Sequence, residues 1–436
     1  MKFGVKRAFS YKAFAFALLV LGISPHHALA QASPLYRVVI DAGSSGSRIY
    51  LFEVTPGPYP IVKQLAAFKG VKGDDGLDNF LDGRGGVEKN LGPEAVGSAM
   101  LSPLLREIQP KLDELKVSHK DVTVDLLATA GMRSVQKPIG EHDVAAVDAF
   151  YAKVRAAIEV EGFPAGEVRT TDGSAEEGIW TWVDLNDRYR DAFRSTKQPV
   201  GIVEVGGSSL QVSFPIDGLP NPAANVYEVK INGRSFSVFD RTYIGLGQDD
   251  ARKAMRVLDP PADGGSQCFP TGMTAAQDEG DFVGGKHITI KGTAVFDAKA
   301  CAASYAQIIS GPFVRLGKPD VASSISPFYG ISAARYALEE IGASPQLPSE
   351  KSIADTIARK CAVKDAVANF KITSKYAQRA CAGAAYIQAL LYGSEGLFHD
   401  KPELFKSTIA DKVEVDPAST GTITWTRGYL LQKYGS

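Results

Sequence analysis

The sequence predicts an α/β protein built from two related halves. Three observations carry that expectation. Strand-like runs alternate with segments of helical period along most of the chain. A unit of strand, small-residue turn and strand occupies residues 36–54. The same design recurs 163 residues later, aligning Asp41 with Glu204, Gly43 with Gly206 and Ser45 with Ser208.

Composition sets the outer bounds. A chain of 436 residues suggests two to three domains, on a prior of about 150 residues each. Hydrophobic residues are 44% and charged residues 22%, which fits a globular protein and not a disordered one. Lys plus Arg (48) nearly equals Asp plus Glu (49), so no basic excess exists to grip nucleic acid by counterion release. The 43 Gly and 24 Pro argue for many turns and against a long helical bundle.

The elements follow in chain order. Lys2, Lys6, Arg7 and Lys12 precede an apolar run at 13–23, and Ala28-Leu29-Ala30 ends the segment. This has the form of a secretory signal peptide over residues 1–30. An uncleaved anchor is the alternative, but eleven apolar residues fall short of the roughly 20 that span a bilayer. Cleavage removes four basic residues and no acid, taking the net charge from −1 to −5. No later run reaches 18 apolar residues, so the expected product is secreted or periplasmic, without stable membrane insertion, and a monomer.

Residues 36–40 read as a buried strand, 41–48 as a tight polar turn and 49–54 as a second strand. Residues 70–86 read as a Gly- and Asp-rich loop whose acids lack EF-hand spacing. Apolar residues near helical spacing mark 94–115 and 144–160, with a strand at 122–127 between them. A turn at 173–178 enters the apolar stretch 179–183. The second hairpin places strands at 199–203 and 210–214 around a turn at 204–209. Residues 260–285 read as a Gly-, Pro- and Asp-rich excursion. Helices are expected at 331–341, 353–361, 374–392 and 426–434. The four cysteines allow three disulfide connectivities in an exported chain, and the local pairings Cys268–Cys301 and Cys361–Cys381 are favoured. The absence of C-x-x-C and the scattered histidines argue against a zinc cluster.

The two turns suggest phosphate chemistry. Phosphate loops need inward backbone N–H groups, and small residues permit that close approach. Gly43-Ser44-Ser45-Gly46 and Gly206-Gly207-Ser208-Ser209 both qualify. Either alone also reads as an ordinary hairpin turn; two, each beginning at an acid, point to a clamp. Asp41 and Glu204 suit a hard cation, Mg²⁺ or Ca²⁺, which takes one or two carboxylates plus phosphates and water. No P-loop, dinucleotide-binding G-x-G-x-x-G or G-x-S-x-G nucleophile elbow is present. Glu176 and Glu177 lie beside Trp180 and Trp182. Pattern alone favours an acidic helix start there, with general-base work as the alternative.

The ordered motifs resemble the nucleoside triphosphate diphosphohydrolase (apyrase) family. They are Asp41-Ala-Gly-Ser-Ser-Gly-Ser-Arg48, Ala128-Thr-Ala-Gly-Met-Arg133, Glu176-Glu-Gly-x-x-x-Trp182-x-x-x-Asn186 and Glu204-Val-Gly-Gly-Ser-Ser-x-Gln211. Further matches are Tyr243-Ile-Gly-Leu-Gly247, Cys268-Phe-Pro, Phe328-Tyr329, Cys381-x-x-x-x-Tyr386 and Trp425-x-x-Gly428-Tyr429. The resemblance covers nearly all of residues 36–436. It implies two actin-like (ribonuclease-H-like) lobes with the active site in the cleft between them: residues 34–170, with a C-terminal segment from about 405 to 436 returning to them, and residues 171–404.

The resemblance also implies roles. Glu177 matches the general base for the attacking water, and Ser209 and Gln211 match residues that hold that water. Asp41 and the acid at 204 match carboxylates that hold the metal largely through water. Gly43, Ser44, Ser45, Gly46, Arg48, Ala130, Gly206, Gly207 and Ser208 match phosphate-binding positions, and Thr129 sits near the terminal phosphate. Tyr329 is the candidate for stacking on the base, with a partner in 393–398. Two positions depart from the family: Glu204 replaces the usual Asp, and Gly46 stands where animal cell-surface members carry His. The implied activity is removal of terminal phosphates from nucleoside tri- or diphosphates. An exopolyphosphatase on the same fold, a non-catalytic actin-like nucleotide-binding module and a sugar kinase are the competing readings.

Overall fold

The computed structural model describes residues 34–435 apart from 45, 70–75, 87–88, 189–191, 194, 222–223, 259–264, 274–280, 284–285, 289–290, 295, 345–347, 365, 371–376, 410–411 and 415–419. The leader at 1–30 and Ser45 therefore lie outside the described residues, as do parts of the excursion.

β-branched and aromatic residues from Tyr36 to Val54 build an antiparallel hairpin, β1 (Leu35–Gly43) and β2 (Gly46–Thr55), closed by the Gly43–Gly46 pair. Val38, Val39, Ile40, Leu51 and Phe52 are fully buried, so the hairpin is covered on both faces. With β3 (Ile61–Lys69), β4 (Val122–Ala128) and β5 (Ala165–Thr170) it forms a five-stranded sheet in the order β3-β2-β1-β4-β5. β4 runs parallel to β1, and β5 parallel to β4. Parallel neighbours need crossovers. The first crossover carries α1 (Leu77–Leu81), α2 (Ser102–Arg106) and α3 (Gln109–Leu115). The second carries α4 (Ala130–Val135) and α5 (Val144–Val160).

After α6 (Gly178–Arg188) the plan repeats. The hairpin β6 (Gly201–Val205) and β7 (Ser209–Pro215) joins β8 (Val226–Ile231) and β9 (Arg234–Ile244). Beyond α7 (Gln248–Leu258) come the small strands β10 (Gly265–Pro270), β11 (Asp281–Val283), β12 (Lys286–Ile288) and β13 (Lys291–Ala294), pairing β10–β13 and β11–β12. Helix α8 (Ala298–Leu316) leads to β14 (Phe328–Ser332), which lies parallel to β6. β15 (Phe405–Thr408) completes a six-stranded sheet, β15-β14-β6-β7-β9-β8, after α9 (Ala333–Glu340), α10 (Glu350–Lys360) and α11 (Ala380–Tyr392). β16 (Lys412–Glu414) pairs with β17 (Thr420–Thr422) before α12 (Trp425–Gly435). Each sheet thus contains a hairpin whose first strand takes a parallel strand on its other side.

Three apolar clusters hold this together. One packs α2, α3 and α5 on the first sheet, and a second packs α7 to α11 on the other. The third joins the sheets: Val39, Tyr50 and Phe52 from the first and Ile202, Val229 and Ile331 from the second close on Trp180 and Trp182 of α6 and Trp425 and Tyr429 of α12. Disulfides join Cys268 to Cys301 and Cys361 to Cys381, the two local pairings.

The sequence reading needs correction at several elements. The helical stretch at 94–115 is broken: a 3₁₀ turn at Pro93–Ala95 and a π-helical turn at Gly97–Leu101 precede α2, and Pro110, lacking an N–H, restarts the chain as α3. Within the loop at 70–86, Leu77–Leu81 is helical, with Leu77 and Phe80 buried. Ile331 and Ser332 end a strand instead of starting a helix. β3, β8, β9, α7 and α8 are further elements that the motif-led expectations do not include. Among the described residues no helix is long and apolar enough to cross a membrane.

Candidate functional site

The two small-residue turns meet. The Ser208 hydroxyl donates to the Ser44 hydroxyl at 2.9 Å, joining positions 164 residues apart. Each turn is braced from behind. Thr129, which precedes α4, donates its N–H to Ala42 O at 3.1 Å, and buried Ala130 follows it. The first N–H groups of α7 donate to the other turn: Gln248 to Gly206 O at 2.9 Å and Asp249 to Gly207 O at 2.9 Å. Those bonds occupy the carbonyls of the turn. The segment Tyr243 to Gly247 therefore serves as its support, with Gly245 N–H donating to Ser208 O at 2.8 Å.

Acids surround the junction. Asp41, at the end of β1, is 7% exposed and pairs with Arg48 of β2, Nη1 to Oδ2 at 3.4 Å. Burial pushes its carboxyl up to about 6; Arg48 opposes the shift, the nearby Glu177 charge adds to it, and the Trp425 side chain hydrogen-bonds to it and lowers it. Glu204 is cross-strand to Gln211, whose Nε2 donates to Ser209 Oγ at 2.8 Å. Ser209 and Gln211 are both buried.

Glu177 ends the π-helical turn Gly173–Glu177 that opens α6, and it is 7% exposed. Asp172 caps the turn, accepting from Ser174 N–H at 2.8 Å and Ala175 N–H at 3.2 Å. Arg133, at the end of the Ala128–Arg133 motif, holds Glu177 Oε2 at 2.5 Å and Thr171 Oγ1 at 2.9 Å. The adjacent Glu176 is engaged differently: Arg169 grips it with two N–H groups at 2.7 and 2.8 Å, and it also accepts from Asp172 N–H at 2.8 Å. The two glutamates therefore divide, with Glu176 in a fork of ion pairs and Glu177 among the junction groups.

Tyr329 stands apart. It lies on β14 opposite Ile202 and packs partly into the apolar cluster around α6 and α12. Residues that the sequence reading left without a role also gather here. Asp78 lies behind the first turn, its carboxyl raised to about 6 by burial. Asp240 is fully buried on β9. Arg133 and Trp425 were visible inside motifs; Asp78 and Asp240 carry no local pattern, and only the tertiary fold brings them in. A cavity of about 400 Å³ between α5 and β5 is lined by none of the turn residues.

Among the described residues no cluster of three or more His, Cys, Asp or Glu forms a metal cage. Asp41 on β1 and Glu204 on β6, each just before its turn, and the paired hydroxyls of Ser44 and Ser208 offer hard oxygens instead. That set fits a cation sharing its sphere with phosphate oxygens and water.

A probable apyrase 5 of Arabidopsis thaliana is 29% identical over 231 residues, spanning 51% of this chain and 42% of that protein. The nucleoside diphosphate phosphatase ENTPD5 of Homo sapiens is 27% identical over 430 residues, covering 93% of this chain and 89% of the relative. A nucleoside triphosphate hydrolase structure from Neospora caninum superposes with a TM-score of 0.60 at 16% identity, over 92% of this chain and 93% of that one, and shares the fold. The model of the GDA1/CD39 (nucleoside phosphatase) family matches residues 27–435, and the chain belongs to that family.

Proposed function

We propose that this protein is an exported, divalent-cation-dependent hydrolase that removes terminal phosphates from nucleoside tri- and diphosphates. The observation that carries the reading is the contact of the two turns through Ser44 and Ser208, with Glu177 near enough to perturb Asp41. In this reading the lobes are residues 34–170 and 171–404, the second also taking β15 (Phe405–Thr408) into its sheet, with the segment after β15 returning to the first, and the phosphates lie between them. The N–H groups and hydroxyls of Gly43 to Gly46 and Gly206 to Ser208 hold the phosphate oxygens. Arg48, Thr129 and Ala130 line the same clamp. Tyr329 is kept as the candidate base-stacking residue.

Glu177 accepts a proton from water. The water oxygen bonds to the terminal phosphorus as the bond to the bridging oxygen breaks, yielding inorganic phosphate and a nucleotide shorter by one phosphate. Ser209 and Gln211 are placed to orient that water, and no phosphoenzyme forms. Asp41 and Glu204 would hold Mg²⁺ or Ca²⁺ largely through water. When bound, the cation neutralises charge on the phosphates. Positioning and charge stabilisation supply most of the acceleration. The leader at residues 1–30 supports export, and the monomer is the working assembly.

The test is phosphate release over a panel of nucleoside tri-, di- and monophosphates and long-chain polyphosphate, with Mg²⁺, Ca²⁺ or chelator. The expected result is cleavage of tri- and diphosphates, abolished by chelator. Nucleotide binding without phosphate release, or release from polyphosphate alone, would contradict it.

A further inference from the structure

We infer that Asp240 is a positioning residue for Glu177, a carboxyl wedged under the turn that fixes where the base stands. This rests on the reading of Glu177 as the base.

Strand β9 supports that turn at both ends. At its start Thr242 donates its N–H to Ser174 Oγ at 3.0 Å and its hydroxyl to Gly173 O at 2.5 Å. Two residues earlier, on the same face of the strand, Asp240 lies against its end. A Cβ placed on Gly178, the residue after Glu177, would stand 2.1 Å from Asp240 Oδ1 and 2.8 Å from its Cγ. Gly178 and the Asp240 carboxyl are therefore a fitted pair, and the chain cannot shift toward the strand at this point.

The carboxyl itself is unusual. Asp240 is 0% exposed; Ser213 donates to Oδ1 at 2.6 Å, and Oδ2 has no hydrogen-bond partner among the described residues. An acid so placed must work as a neutral group or carry an uncompensated charge. Three acids bear on it: Glu177 and Asp172 from the turn, and Glu204 from β6. Glu204 is separated from it by the whole of β7. The Tyr227 and Tyr243 phenols are the other titratable neighbours. Arg241 follows in the chain but donates to Leu316 O, on the opposite face. Burial accordingly holds the carboxyl well above the usual range. Its neutral form, favoured by burial, is a compact wedge. At alkaline pH its ionisation would place a second negative charge under the base and push the turn away.

The test measures kcat and KM across acid to alkaline pH for the full chain and for Asp240→Asn, Asp240→Ala and Glu177→Gln. The amide preserves shape and neutrality. Asp240→Asn should keep neutral-pH kcat within about threefold and lose the alkaline fall expected of wild type. Asp240→Ala should lower kcat at least about tenfold with KM nearly unchanged, because the turn loses its stop. An Asn variant as slow as the Ala variant, or one sharing the wild-type alkaline fall, overturns the inference, as does an Ala variant of wild-type kcat. Glu177→Gln separates the two readings: if it turns over normally, both fail; if it is inactive while Asp240→Ala is normal, only this one fails.

Discussion

At the scale of single residues, the pairing of Arg133 with Glu177 decides most. Both side chains are about one-tenth exposed, so their contact is a buried ion pair. Removing one partner of such a pair leaves an uncompensated charge and costs roughly 3–5 kcal/mol. Arg133→Met should therefore lose about that much stability in urea unfolding, and Glu177→Gln in the same background should recover a large part of it. Two single losses that simply add would show that the pair is not coupled. The pair also separates two glutamates that residue pattern alone could not rank. Both precede a tryptophan-rich helix, and pattern alone reads them as a helix start. What distinguishes them is which arginine reaches which carboxylate, and Arg133 and Arg169 lie 44 and 7 residues away in the chain.

At the scale of elements, α6 and α12 bind the two sheets together. Asp184 of α6 accepts from Arg188 at 3.0 Å and Arg427 at 2.7 Å, while Asp187 accepts from Arg427 at 2.7 Å. Arg427 also donates to Val62 O of β3 at 2.9 Å. The helices cross so closely that a Cβ on Gly428 would lie 1.8 Å from Trp180 O. Gly428→Ala should force them apart and cost at least about 2 kcal/mol, read as a lower denaturant midpoint. An unchanged midpoint would contradict this crossing. Trp425-x-x-Gly428-Tyr429 was legible as a motif, but its reason is tertiary. Elements with one strong signal were equally legible: the hairpins from β-branched runs around glycines, and α5 from its helical period. Elements that share their signal between weak pieces were not. The stretch from Pro93 to Leu115 keeps a helical apolar spacing while Pro103 and Pro110 divide its backbone.

At the scale of the molecule, the duplicated hairpin was the most informative feature of the sequence. It foretold two sheets of related plan, and the fold brings their turns together through Ser44 and Ser208. The turn and carboxylate positions were legible because their chemistry is local: small residues beside an acid at a strand end. Asp78 and Asp240 were not, since each is one acid in an ordinary run until burial changes its character. Together these groups form an acid-rich, buried junction in a nearly neutral chain. The central claim is that Glu177 activates the attacking water. The most direct measurement compares Glu177→Gln with wild type for nucleotide affinity and for phosphate release at saturating nucleotide. The account predicts a folded variant that binds nucleotide with affinity near wild type and loses about 10²- to 10⁴-fold in kcat. Wild-type kcat in that variant would contradict it.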